Sequence, residues 1–269
     1  MLIDFHTHVF PEAIAQKTID ALSAAIKEQS GIDAMPCTNG TVTELLDMMD
    51  RSGVSISVTM PVATKPSQVE TINSFSKSIR TDRIFTFGAI HPDCDDVDGV
   101  MERIKADGFC GVKIHPEFQG YYINSPEYMR ILRAAERLGL YVLVHAGSDV
   151  GKPPPVHCRP EMVKDILDEL DGSNIILAHM GGFGMWDDVE KYLVGTNVKM
   201  DTAVVCRFME AAQCRAIIEA HGSDKVLFGS DCPWSSPAES DEYIRSLGLS
   251  SEDEDKVRYK NAMHILGLE

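Results

Sequence analysis

Eight short runs rich in β-branched and aromatic residues alternate along the chain with longer segments of helical period. This alternation admits few folds, because in a parallel sheet each strand is covered by the helix that follows it. The runs are Leu2 to His6, Val54 to Met60, Ile84 to Ile90, Gly111 to His115, Leu140 to His145, Asn174 to His179, Asn197 to Asp201 and Lys225 to Ser230. Their apolar density suits strands buried on both faces. The segments between them carry helix signals. Ser125 to Leu138 has Pro126 at its start and Gly139 past its end, and Pro160 to Leu170 stops before Asp171-Gly172. Thr43 to Arg51 stops before Gly53, and Phe208 to Ala220 before Gly222. Eight β/α units with short links predict a closed α/β barrel of the (β/α)8 TIM type. The length, 269 residues, fits one such domain of about 250 residues. An open doubly wound sheet is the alternative, but it calls for a glycine-rich phosphate turn after the first strand, where this chain has HTHVFP. One stretch exceeds the pattern. A helix over Glu12 to Ser30 and a loop near Gly31 to Gly40 precede the first expected crossover helix, and form a candidate lid or active-site wall.

Composition excludes several function classes. The formal net charge of -16 repels a phosphate backbone, and no Lys/Arg stripe with interleaved aromatics is present, so no nucleic-acid partner is expected. The start, MLIDFHTHVF, reads directly as a strand and lacks a basic leader followed by an apolar stretch. No apolar run approaches membrane-spanning length. Seven cysteines form no C-x-x-C pair, which fits free thiols in a reducing compartment. The expectation is a soluble, unprocessed cytoplasmic protein with a small-molecule substrate, and a homodimer is the default assembly.

Alternate residues of a strand share a face, so Asp4, His6 and His8 of DFHTH point into one space at the top of the first strand. His145 ends strand five, His179 ends strand six, and Asp231 follows strand eight. In a barrel the C-terminal strand ends form the rim where active sites lie, so these residues converge. One buried histidine at a strand end is more often a satisfied core residue than a ligand; four with a carboxylate at equivalent positions are hard to explain that way. Neutral imidazoles and one carboxylate match zinc, while manganese, iron and cobalt stay compatible. Three histidines and an aspartate leave a position for water or substrate only on a five-coordinate ion, which gives His179 the role of a base beside it.

Lys113 and His115 sit two apart on strand four and share the inward face, as ligands for a second metal or for substrate. His91, Arg159, Arg207 and Trp234, with Lys152 and His157, lie on or just after strand ends as candidate substrate-binding groups. Their cations would suit an anionic substrate despite the acidic whole. Phe118, Phe183 and Trp186 are candidates for an apolar side. Cys232, beside Asp231, reads as packing, because no dedicated base accompanies it in sequence.

DFHTHVFP, GVKIHPEFQ, VHAG, LAHMGG, FGSDCPW and KNAMHILGL, in this order and spacing, resemble the amidohydrolase superfamily. The closer likeness is to its branch that includes the aminocarboxymuconate-semialdehyde and resorcylate decarboxylases, and it covers nearly the full chain. The resemblance implies a distorted (β/α)8 barrel in which His6, His8, His145 and Asp231 bind the metal and His179 orients or deprotonates the water beside it. The chain departs from the decarboxylases in being shorter and in carrying Lys113. Elsewhere in the superfamily a strand-four lysine is carboxylated and bridges two metals, with the strand-five and strand-six histidines on the second ion. One zinc per chain beside a charged Lys113 is the expected state, and a binuclear site the alternative.

The resulting expectation is a metal-dependent hydrolase using activated water on an amide, lactone or related carbonyl of a small anionic substrate, with His179 and Asp231 as its catalytic residues. The alternatives are a metal-dependent non-oxidative decarboxylase of a small cyclic or aromatic carboxylate, and a non-catalytic metal- or ligand-binding barrel.

Overall fold

In the computed structural model of the chain, which describes residues 1–268, parallel strands close into a ring. They are β1 (Ile3–Thr7), β2 (Ile56–Thr59), β3 (Ile84–Thr86), β4 (Gly88–Ala89), β5 (Gly111–Ile114), β6 (Tyr141–Val144), β7 (Ile175–Leu177), β8 (Lys199–Asp201) and β9 (Val226–Leu227). The run read as Ile84 to Ile90 is thus broken at Phe87, which divides the sheet into β1-β2-β3 and β4 through β9. Phe87 crosses the barrel interior and meets Phe5 edge to face, ring centroids 5.7 Å apart. Gly111 makes the room for it, since a Cβ there would lie 2.6 Å from the Phe87 ring. The ring is carried past the break by the Phe87 amide, which donates to the Thr59 carbonyl at 3.0 Å. It closes between the first and last strands, where Phe5 donates to Phe228 (2.8 Å), Asp231 to His6 (2.9 Å) and His8 to Cys232 (2.7 Å). This is the TIM barrel expected from the strand pattern, distorted as the family resemblance implies.

The helices are α1 (Ala15–Ser30), α2 (Val42–Ser52), α3 (Val69–Ser78), α4 (Val97–Ala106), the single turn α5 (Pro116–Gln119), α6 (Pro126–Leu138), α7 (Pro160–Ile166), α8 (Trp186–Tyr192), α9 (Ala211–His221), α10 (Pro237–Ser246), α11 (Ser251–Asp255) and α12 (Asn261–Leu266). Their ends follow the local chemistry. On α6 the Ser125 hydroxyl caps the Tyr128 amide, Pro126 fills the first turn, and Gly139 ends the helix in a left-handed conformation. Helix α9 starts three residues later than its pattern suggests, because Val205–Arg207 forms a separate 3-10 turn.

Two apolar layers hold the barrel. The outer one lies between strands and helices and includes Val112, Val142, Leu177 and Met200 with Ile131 and Ile217. The inner one fills the barrel with Ile3, Phe5, Val58, Phe87, Leu143, Ile176 and Leu227, together with Ala262 and Ile265 of α12. The interior is packed, so ligands have access only from the rim. Among the described residues no helix is long and apolar enough to cross a membrane.

Candidate active site

The rim at the C-terminal strand ends carries a row of buried imidazoles, and their hydrogen-bond partners decide which nitrogen of each is free. His6 is 1% exposed, and its Nδ1 lies 2.7 Å from Oδ2 of Asp201, so that nitrogen carries the proton and Nε2 the lone pair. His8 donates from Nδ1 to the Met60 carbonyl at 2.8 Å, which again leaves Nε2 free. Both Nε2 atoms turn toward Oδ1 of Asp231, at 3.5 Å from His6 and 3.1 Å from His8. Three acceptor atoms therefore converge with no proton among them, an arrangement that is repulsive unless a cation lies at their centre. A donor, Lys113, stands beside the group, its Nζ 3.3 Å from Nε2 of His6.

A second pair stands beside the first group. His179 donates from Nδ1 to the Ala203 carbonyl at 3.0 Å, and both groups within reach of His145 Nε2, the Ser148 carbonyl at 3.3 Å and the Asp149 carboxylate at 4.0 Å, are acceptors. The remaining lone pairs, on His179 Nε2 and His145 Nδ1, face each other at 3.1 Å. His145, the fourth ligand expected from the sequence, groups with His115 and Asp149 and has His179 at its Nδ1. His115 stacks on it at 4.1 Å between ring centroids.

Electrostatics keep these imidazoles in the form that binds metal. Burial, reinforced by Lys113, pushes His145 down to about 3, and burial with the neighbouring His145 lowers His179 to about 4. His6 is also held well below its ordinary value by burial and Lys113. Burial lowers Lys113 itself to about 8, against the pull of Asp201 and Asp231. Burial would raise Asp231, but the imidazoles of His8, His6 and His179 outweigh it and hold the carboxyl below its usual range.

Two of these residues occupy strained backbone. His179 (φ 59°) and Asp231 (φ 68°) are in the left-handed region, which costs a non-glycine residue about 1–3 kcal/mol and recurs at functional sites. The strain at His179 is held by Asp201, whose Oδ1 accepts from the His179 and Ala203 amides at 3.0 Å each. Trp186 adds a bond from Nε1 to the His179 carbonyl. Asp201 and Asp149 were not singled out in sequence. The signal available for Asp201 was its place as the last residue of the β-rich run Asn197 to Asp201; Asp149 offered only its spacing four residues after His145.

Above the row lies a cavity of about 700 Å³. Lys113, His115, Arg207, Trp234, Phe118 and Phe183 line it. His91 and Arg159 do not. His91 is buried, with Nδ1 accepting from the Asp93 amide, and Arg159 is spent on Glu161 and Asp188. His157 is likewise bound to Glu117. Asp4, expected beside His6 and His8, accepts from Ser230 instead, and the β1 register shifts between Asp4 and Thr7. Cys232 is buried, its thiol pushed up by the Cys37 sulfur 3.7 Å away and by burial, which suits packing and not nucleophilic attack.

Solved structures share this fold at low sequence identity. A 5-carboxyvanillate decarboxylase from Sphingomonas paucimobilis matches with a TM-score of 0.70 at 19% identity, over 100% of this chain and 99% of its own. A dihydroxybenzoic acid decarboxylase from Polaromonas, with bound manganese and the inhibitor 2-nitroresorcinol, matches with a TM-score of 0.68 at 14% identity, over 99% and 97%. A TIM-barrel protein from Bordetella bronchiseptica matches with a TM-score of 0.75 at 14% identity, over 99% and 98%. At these identities the likeness is one of fold. No curated protein matches the sequence. The family model for amidohydrolases matches residues 3–268, and the chain is therefore an enzyme of the amidohydrolase family.

Proposed function

We propose that this enzyme is a metal-dependent hydrolase acting on an amide, lactone or related carbonyl, with His6, His8 and Asp231 holding a divalent ion. The observation that carries this reading is the convergence of three acceptor atoms whose protons are all committed elsewhere. Zinc suits two imidazoles and a carboxylate, and manganese, as bound in the Polaromonas decarboxylase, suits them as well. Such an ion supplies Lewis-acid chemistry, polarising a carbonyl and making water more acidic. The chain's own groups do the rest. His179, neutral, lining the cavity and with its Nδ1 proton held by the Ala203 carbonyl, accepts a proton from water at Nε2. Asp231, within reach of the same space, carries a proton to the departing nitrogen or oxygen. Asp201 fixes the His6 tautomer and the His179 backbone together.

A second ion has its own supporting observation, the lone pairs of His145 and His179 directed at each other. Lys113 lies beside His6, buried and with a lowered proton affinity, so its neutral amine would add carbon dioxide with loss of a proton, giving a carbamate whose oxygens would serve as further ligands. His179 would then be a ligand, and Asp231 would handle the proton. A decarboxylase remains the second reading of the reaction, supported by the decarboxylases of the same fold.

The two reactions are separated by product analysis in 18O-labelled water, with the metal-loaded enzyme offered amides, lactones and hydroxybenzoates. Label in a product carboxylate supports the hydrolase. Carbon dioxide released from a hydroxybenzoate with no label taken up replaces it with the decarboxylase.

A further inference from the structure

The cavity changes character with distance from the histidines. Its floor is polar, but its walls are built by Leu22 and Ile26 of α1, Ile32, and Ile72 and Phe75 of α3. Helix α1 buries only Ala15 and Ile19 against the protein. Leu22 and Ile26 are half-buried and turned to the cavity, and Ile14 and Ile32 stand 49% and 37% exposed along it. An amphipathic helix whose apolar side faces an open cavity leaves hydrocarbon surface to be covered by whatever enters.

Charge points the same way. Of the cations lining the cavity, Arg207 is tied to Glu239 and to the Trp234 carbonyl, Lys152 lies over the Phe118 ring at 4.1 Å, and Lys113 faces His6. Among the described residues that line the cavity there is no further cation, while Asp33, ion-paired with Lys27, and Asp149 both line it. A ligand carboxylate seated there would lose hydration without gaining a partner. The volume falls within the range of about 300–1,000 Å³ found for drug-sized ligands, and exceeds what a reacting carbonyl alone would fill.

We infer that the substrate is an uncharged carbonyl compound bearing a medium-length hydrocarbon chain, in the class of acyl amides and alkyl lactones, with the chain lying between α1 and α3 and the carbonyl at the His6, His8 and Asp231 group. The inference rests on the hydrolase reading for the carbonyl end and on the cavity walls alone for the chain. It differs from the small anionic substrate expected from the sequence.

Calorimetric titration of the metal-loaded enzyme with butanamide, hexanamide, octanamide and decanamide tests it. Affinity is expected to rise by about fourfold per added methylene, the worth of burying one CH2 group. Ile26→Asp and Phe75→Ala should each flatten the series while metal content and melting temperature hold. Equal affinity across the series, or tighter binding of a hydroxybenzoate than of decanamide, overturns the inference. Binding that rises with chain length but gives no hydrolysis supports the chain site and removes the hydrolase reading, whereas turnover of small amides with no gain from the chain does the reverse.

Discussion

The Nδ1 of His145 and the Nε2 of His179 lie 3.1 Å apart, and the tautomers in which His179 Nδ1 donates to the Ala203 carbonyl and His145 Nε2 to the Ser148 carbonyl leave two lone pairs facing each other. Two lone pairs at that separation are stabilised by a shared cation. With a second ion at this pair, cobalt titration followed by visible absorption should show two binding steps in the wild type and one in His179→Gln, with turnover lost. A single step in both proteins would leave His179 as a base without a metal.

Asp201 acts on the site through His6. Replacing it with asparagine sets an amide NH2 against His6 Nδ1, which must then accept, so the proton moves to Nε2 and the lone pair directed at Asp231 is lost. Asp201→Asn should therefore weaken metal binding by about 10- to 100-fold, the usual effect of removing a group that orients a ligand. Competition with a chelating dye measures this, and unchanged affinity would contradict the assigned tautomer.

Much of this site was legible in the sequence because strand ends are legible: His6, His145, His179 and Asp231 each close a β-rich run, and a barrel brings such ends together. The extra helix before the second strand was also readable as a wall, and α1 lines the cavity. Ring orientation was not legible. Whether His145 joins His6 or His179 depends on the carbonyls of Ser148 and Ala203, which no residue type announces. The fates of His91 and Arg159 depended on neighbours such as Asp93 and Asp188, contributed by loops whose course no pattern fixes. The break at Phe87 was hidden for a related reason, since it arises from a ring crossing the barrel toward Phe5 and Gly111.

Away from the site, His221 is buried, donates from Nε2 to the Val198 carbonyl at 2.9 Å and accepts from the Gly195 amide. Burial, with Lys225 nearby, lowers its proton affinity in the fold. Its contribution is therefore present above the unfolded value of about 6.5 and is lost as pH falls, by up to about 1.4 kcal/mol per pH unit. Gln can keep both bonds without titrating. Between pH 7.5 and 5 the melting temperature of His221→Gln should fall less than that of the wild type; parallel profiles would contradict this.

Gly147 follows His145 by two residues, at φ 82°, and a Cβ there would lie 2.1 Å from the Phe183 amide nitrogen. Backbone occupies that space, so no rotamer change relieves the clash. Gly147→Ala should destabilise the protein by about 3 kcal/mol or more, read by urea unfolding, and lower activity by separating the His145 and His179 loops. A loss below about 1 kcal/mol would show that the two loops are not locked together.

The most direct test of the metal centre is elemental analysis of the purified protein after reconstitution with zinc or manganese, set beside Asp231→Asn and Lys113→Met. The account predicts at least one ion per chain in the wild type and a loss in Asp231→Asn that takes activity with it; a second ion, where the His145 and His179 pair holds one, falls away in Lys113→Met. Wild-type protein without bound metal, or Asp231→Asn with wild-type content, would contradict it.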